Sequence, residues 1–201
     1  MKFISHLDMN RCMARLIAKS AIPIWYTEGF NQRIYTNFAV PLSLGYEGYY
    51  EILDIRLTEE DYPLQDCLLA LQKAAPPDIE FVSVAEPVFP MKTIAYARYE
   101  LTFEHPDNLF WENLTAFLHQ DSVLCQKVGK KGRIKEIDLI PKIKEFSVEG
   151  NTLSLVVAAG CDDSLNPGLV LSAFFEQTGT VPIDYTTKRT MIYNHEMEAF
   201  R

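Results

Sequence analysis

Several signatures that would identify an activity are missing from this sequence. No apolar run reaches the roughly 18 residues that a membrane-spanning helix needs. The first ten residues, MKFISHLDMN, hold no apolar signal-peptide core, so a cytoplasmic protein is expected. The four cysteines, Cys12, Cys67, Cys125 and Cys161, are scattered and form no C-x-x-C pair. That spacing argues against a disulfide framework, a zinc ribbon or an iron–sulfur cluster, and it suits a reducing compartment. Cys12 and Cys67 fall on the apolar faces of expected helices, where a thiol behaves as a small hydrophobe. His105, His119 and His195 have no metal-ligand spacing. The motifs G-x-S-x-G, H-E-x-x-H, G-x-G-x-x-G and G-x-x-x-x-G-K-[ST] do not occur. No metal and no cofactor is expected.

What is present is ordinary globular material, 48% hydrophobic and 23% charged over 201 residues. That is enough to bury one large core or two small ones. The formal net charge of −8 conceals an asymmetry. Residues 127–144 hold seven basic residues against two acidic ones, a balance of +5, which leaves −13 on the rest of the chain. An acidic body with one basic strip suits an anion held at one place better than general nucleic-acid binding.

Periodicity gives the same order of elements twice. In the first half, Lys2 to Leu7 reads as a strand, and Asp8 as the N-cap of a helix carrying Met9, Cys12, Met13, Leu16 and Ile17. Ile22 to Tyr26 and Tyr49 to Leu57 read as strands, Pro63 opens a second helix, and Glu80 to Val84 closes the unit as a strand. In the second half, Ile94 to Phe103 alternates as a strand and Asp107 caps a helix. Ser122 to Val128 reads as a strand before a glycine-flanked basic turn. A hairpin, Ile143 to Val148 with Thr152 to Ala158, turns at Gly150-Asn151. Asn166-Pro167 starts a helix, Gly179 stops it, and Val181 to Tyr185 and Thr190 to Tyr193 end the chain as strands. The fold class expected is α+β, with tandem ferredoxin-like (split β-α-β) halves and mainly antiparallel sheets. The halves would span 1–88 and 93–201, joined by a linker at about 86–92 with Pro87 and Pro90.

The densest polar chemistry lies near the start of the chain. Arg11, Arg15 and Lys19 stand at i, i+4 and i+8 and form one basic stripe on the first helix. Arg15 is placed nearest the buried arc and is the best single anion ligand. His6 is the candidate acid, base or ligand, and the only catalytic candidate. Gly29 supplies a turn, Phe30 caps the core or stacks on a ring, and Asn31 orders the turn or bonds a ligand. Farther on, Lys130, Lys131 and Arg133 sit in the glycine turn as a clamp for phosphate, with Arg189 as a further member if the last strand is adjacent.

The run K-F-I-S-H-L-D-M-N-R, then G-F-N and P-L-S-L-G, resembles the N-terminal signature of the bacterial radical-SAM-linked proteins, a family of unknown function. The later K-K-G-R-I-K-E-I-D-L-I-P, the N-P helix start and K-R-T-M-I-Y extend the resemblance over nearly the whole chain. It implies a companion or substrate-handling role beside a radical-SAM protein. The sequence departs from that family at Gln32-Arg33, where proline and histidine are usual, and this favours binding over catalysis. The leading expectation is an accessory binding protein for a radical-SAM enzyme that recognises RNA. The alternatives are a metal-independent RNA-processing enzyme using His6, and a pure protein-interaction partner.

Overall fold

Residues 2–128, 134–161 and 163–201 are described by the structure, a computed structural model. The chain divides into two units, one running to Met91 and including Arg201, the other spanning Lys92–Phe200. Arg201 belongs with the first because its carbonyl accepts the Val88 and Phe89 N–H groups at 3.0 and 3.1 Å. Both units mix helices with antiparallel strand pairs, so the α+β class stands. No helix of the described residues is long and apolar enough to cross a membrane.

The N-terminal unit begins with helix α1 (His6–Ser20). Its N-cap is Ser5, whose hydroxyl accepts the Asp8 N–H at 3.2 Å and donates to Asp8 Oδ2 at 2.8 Å. The hydroxyl thus caps the helix through the N3 N–H and is itself held by the Asp8 carboxylate. This geometry corrects two expectations: Lys2 to Leu7 is not a strand, and Asp8 lies inside the first turn instead of capping it. The local capping hydrogen bonds outweigh the weak alternation of Phe3 and Ile4. The helix ends at Ala21, which takes a left-handed conformation with φ 59°.

Strands β1 (Thr36–Phe38), β2 (Glu47–Gly48) and β3 (Leu53–Ile55) follow, then α2 (Leu64–Ala74). β1 and β3 pair antiparallel, with Asn37 opposite Asp54. Two isolated bridges, Ile24 to Leu57 and Tyr26 to Ile34, extend that ribbon. Met13, Leu16, Ile17, Ile22, Cys67, Leu71 and Ala74 form the core, and Ile24, Ile34, Phe38, Leu53, Ile55 and Leu57 pack onto it from the ribbon. The expected strands at Ile22–Tyr26 and Tyr49–Leu57 are therefore only bridges and a three-residue pair. Pro23 lacks the N–H a longer ladder would use. Glu80–Val84 forms no strand. Phe81 and Val84 pack on the core, and the Phe81 carbonyl accepts the Gln72 side-chain amide at 2.8 Å, so the segment has side-chain anchors but no ladder. The N-terminal unit thus lacks the β-α-β-β-α-β order expected for it.

The C-terminal unit runs β4 (Ile94–Phe103), α3 (Asn108–Leu118), β5 (Leu124–Val128), β6 (Ile134–Asp138), β7 (Ile143–Glu149), β8 (Thr152–Ala158), α4 (Pro167–Thr178) and β9 (Tyr185–Asn194). Within it the strands lie in the order β9-β4-β8-β7, every neighbour antiparallel. β5 and β6 form a separate antiparallel pair. The caps agree with the sequence. Asp107 accepts the Phe110 N–H at 2.7 Å, Asn166 accepts the Gly168 N–H at 2.8 Å, and Gly179 ends α4 at φ 69°. Gly150 turns β7 into β8 at φ 56°. The final segment is one strand from Tyr185, not two. Phe103, Phe110, Phe117 and Phe174 pack the helices on the sheet, with neighbouring ring centroids 4.9–5.7 Å apart.

Candidate functional site

Helix α1 carries the basic stripe and presents it to water. Arg11 and Arg15 are both exposed, as is Lys19, because Met13, Leu16 and Ile17 occupy the core-facing arc. Arg15 is thus not the near-buried ligand expected of it. It makes no hydrogen bond or ion pair among the described residues. Arg11 pairs with Asp8 at 2.9 Å, one turn toward the N-terminus, and Lys19 donates to the Ala74 carbonyl at 3.4 Å. The Ser5 hydroxyl and then the Arg11 guanidinium hold the Asp8 carboxyl below its usual pKa.

His6 is exposed in the first turn of α1. Asn10 Nδ2 lies 3.0 Å from the His6 carbonyl oxygen and 3.0 Å from His6 Nε2. The carbonyl can only accept, which fixes the amide nitrogen on this side, so the second amide hydrogen is donated to Nε2. The ring proton is thereby assigned to Nδ1. The lone pair that a general base would use is already engaged, and the ring edge meets Phe38 at 5.6 Å.

Phe30 and Asn31 occupy the tip of the loop closed by the Tyr26 to Ile34 bridge, with Gly29 at φ 121°. Both are exposed, and Phe30 caps no core. No hydrogen bond, ion pair or ring contact among the described residues joins either to α1. The structure therefore gathers His6, Arg11 and Arg15 on one helix and joins neither Phe30 nor Asn31 to them by such a contact. Lys130, Lys131 and Arg133 lie outside the described residues, as do Gly129 and Gly132. Arg189 is fully buried on β9, so it does not join a solvent-facing clamp.

Other candidates fall into structural roles. Cys67 is fully buried, and burial raises its thiol pKa. His119 shares a hydrogen bond with the Thr115 carbonyl at 2.8 Å and lies edge-on to Phe146 at 5.0 Å. Among the described residues no group of three histidine, cysteine or acidic side chains could hold a metal ion. Sequence reasoning missed Trp25, Tyr35, Asn37, Asp54 and Arg56, which share the solvent side of the N-terminal ribbon. The usable signal was the alternation Leu53-Asp54-Ile55-Arg56-Leu57.

No curated protein and no solved structure matches the chain. Residues 1–167 match a family described as uncharacterized protein conserved in bacteria (DUF2344). That match takes in α1, the N-terminal ribbon, α2 and the C-terminal unit as far as the start of α4, and the chain belongs to that family.

Proposed function

We propose that the protein is a binding module, not a catalyst, which recognises RNA on behalf of a radical-SAM enzyme. The observation that carries this reading is Arg15, a guanidinium on a rigid helix, in water, without a partner among the described residues, between Arg11 and Lys19. A planar cation so held suits a phosphate oxygen. The engagement of His6 Nε2 by Asn10 favours binding over proton transfer. The order β4-α3-β7-β8-α4-β9 with strands arranged β9-β4-β8-β7 supports a ferredoxin-like reading of the C-terminal unit, a framework many RNA binders use, by analogy of fold alone. The radical-SAM partner comes from the family resemblance.

The test is binding of a fluorescent single-stranded RNA, followed by anisotropy across salt concentrations. Each phosphate contact contributes about −0.7 to the slope of log K against log salt for single strands. Replacing Arg11 and Arg15 by alanine is expected to flatten the slope by about 1.4. The triple alanine variant at Lys130, Lys131 and Arg133 is expected to flatten it as well. No binding near 50 mM salt, where phosphate contacts are strong, overturns the RNA reading.

A second reading, docking of the enzyme partner itself, is favoured by the exposure of Phe3, Leu7 and Leu44. The chain beside Phe3 and Leu44 is joined, since Gly45 N–H donates to the Lys2 carbonyl at 2.7 Å. A pull-down from native lysate that contains no radical-SAM protein removes it.

A further inference from the structure

The ribbon of the N-terminal unit has two faces of opposite character. Ile24, Ile34, Phe38, Leu53, Ile55 and Leu57 take the inner one and pack on α1 and α2. Strand side chains alternate, so Trp25, Tyr35, Asn37, Asp54 and Arg56 share the outer one. Tyr35, Asn37 and Arg56 are exposed, and Trp25 and Asp54 are half-buried. The rings of Trp25 and Tyr35 meet at 6.2 Å and 65°. The Arg56 guanidinium lies over the indole at 4.8 Å. Asn37 and Asp54 are direct cross-strand neighbours, which sets their side chains next to each other.

The polar ends of these five side chains make no hydrogen bond and no ion pair among the described residues. Asp54 and Arg56 are two residues apart on one side of a strand, yet the guanidinium stacks on Trp25 instead of pairing with the carboxylate. A half-buried carboxylate with no donor is a destabilising arrangement for folding alone. Burial raises its pKa, which is the physical sign of that cost. Two adjacent N–H donors from outside would relieve it, because a carboxylate accepts such a pair bidentately. Beside it the exposed Tyr35 ring, set at 65° to an indole that Arg56 covers, offers a face on which a ring stacks.

We infer that this outer face is a recognition site for an unpaired guanine base. The base stacks on Tyr35 beside the Arg56-covered indole of Trp25, its N1–H and N2–H donate to Asp54, and the Asn37 amide donates to its carbonyl oxygen. Arg56 supplies the charge that complements the attached phosphate. Adenine and the pyrimidines lack that pair of adjacent donors, so the site discriminates by leaving the carboxylate unsatisfied with them. The inference rests on the RNA-binding reading and names the base that such binding selects. The same chemistry would hold a free guanine nucleotide.

The chain has two tryptophans, Trp25 and Trp111, so a Trp111→Phe background makes Trp25 the sole indole reporter. In that background Trp25 fluorescence is followed against GMP, AMP, and short single-stranded oligonucleotides carrying one G or one A among uridines. Anisotropy of the labelled oligonucleotides is read in parallel. The expected result is quenching by GMP and by the G oligonucleotide, with at least about tenfold weaker effects from the adenine counterparts. Asp54→Asn, which keeps the shape of the side chain, is expected to abolish the preference for guanine. Circular dichroism confirms that the variant is folded. Oligonucleotide binding without Trp25 quenching, or with equal response to G and A, overturns the guanine site and leaves the RNA reading intact. Asp54-dependent quenching by GMP without oligonucleotide binding supports the site, with the free nucleotide as its source, and overturns the RNA reading. Absence of both overturns both.

Discussion

Replacing Asp54 with asparagine is expected to stabilise the N-terminal unit at neutral pH. The carboxylate lies on β3, half-buried, beside Asn37, with no donor among the described residues to compensate it. Burial raises its pKa in the folded state. A raised aspartate favours the protonated form on folding. Its contribution is fully present below the ordinary aspartate pKa of about 3.9 and is lost as pH rises through the folded value. Asparagine keeps the volume and polarity and removes the charge. An unsatisfied buried charged group costs about 1–3 kcal/mol or more, and partial access of water to Asp54 brings the figure to about 1 kcal/mol. With a urea m-value of about 1 kcal/mol/M for a unit of this size, the midpoint is expected to rise by about 1 M at pH 7. Trp25 fluorescence in the Trp111→Phe background reports this unit alone, so the two units need not unfold together. The difference from the parent is expected to shrink as pH falls toward 4. A midpoint at pH 7 equal to or below the parent's, or a difference independent of pH, refutes the reasoning. A gain would mean that the carboxylate is retained at a cost in stability, which is the usual mark of a ligand-facing group.

Other outcomes follow from packing and capping. Ser5→Ala removes the hydroxyl that caps α1 and is expected to cost about 1 kcal/mol, read as a lower urea midpoint by Trp25. Ile17→Ala opens a cavity in the N-terminal core and is expected to cost about 3 kcal/mol by the same probe. Phe174→Ala is its counterpart in the C-terminal unit. It is expected to cost about 4 kcal/mol and to shift the Trp111 transition. Asp138 accepts the Val123 and Ile140 N–H groups at 2.9 and 3.2 Å, and the Val123 bond is the larger cause of its lowered pKa. Its stabilisation is therefore present above the ordinary aspartate pKa and lost as pH falls through the lowered one. Asp138→Ala is expected to make the acid limb of the Trp111 midpoint shallower.

Local chemistry was the most legible part of the chain. Asp107, Asn166-Pro167, Gly150-Asn151 and Gly179 each mark a helix end or a turn through hydrogen bonds that span a few residues, and each does so in the structure. The opening segment was legible in principle but was read by the wrong signal. Ser5 and Asp8 stand three apart, the spacing of a capping box, while Phe3 and Ile4 suggested a strand. Glu80–Val84 looks like a strand in isolation, yet a strand needs a partner's ladder, and its neighbours offer a side chain and a core instead.

The site divides in the same way. The stripe of Arg11, Arg15 and Lys19 follows from helical spacing alone, because one helix sets all three. Its exposure does not follow, since that depends on which arc the core claims. The orientation of the Asn10 amide against His6, which assigns the ring proton, likewise needs the folded first turn. Trp25, Tyr35, Asn37, Asp54 and Arg56 span 32 positions of chain and share a face only after β1 pairs with β3 and the flanking bridges close. The sequence by itself determined the α+β class, the caps of α3 and α4, the C-terminal hairpin and the basic stripe, because these depend on patterns and contacts local in the chain. Only the tertiary structure decided that the N-terminal half does not repeat the C-terminal order, and which polar groups are left without partners. Those outcomes depend on long-range pairing and on competition for a single core, which no local pattern encodes.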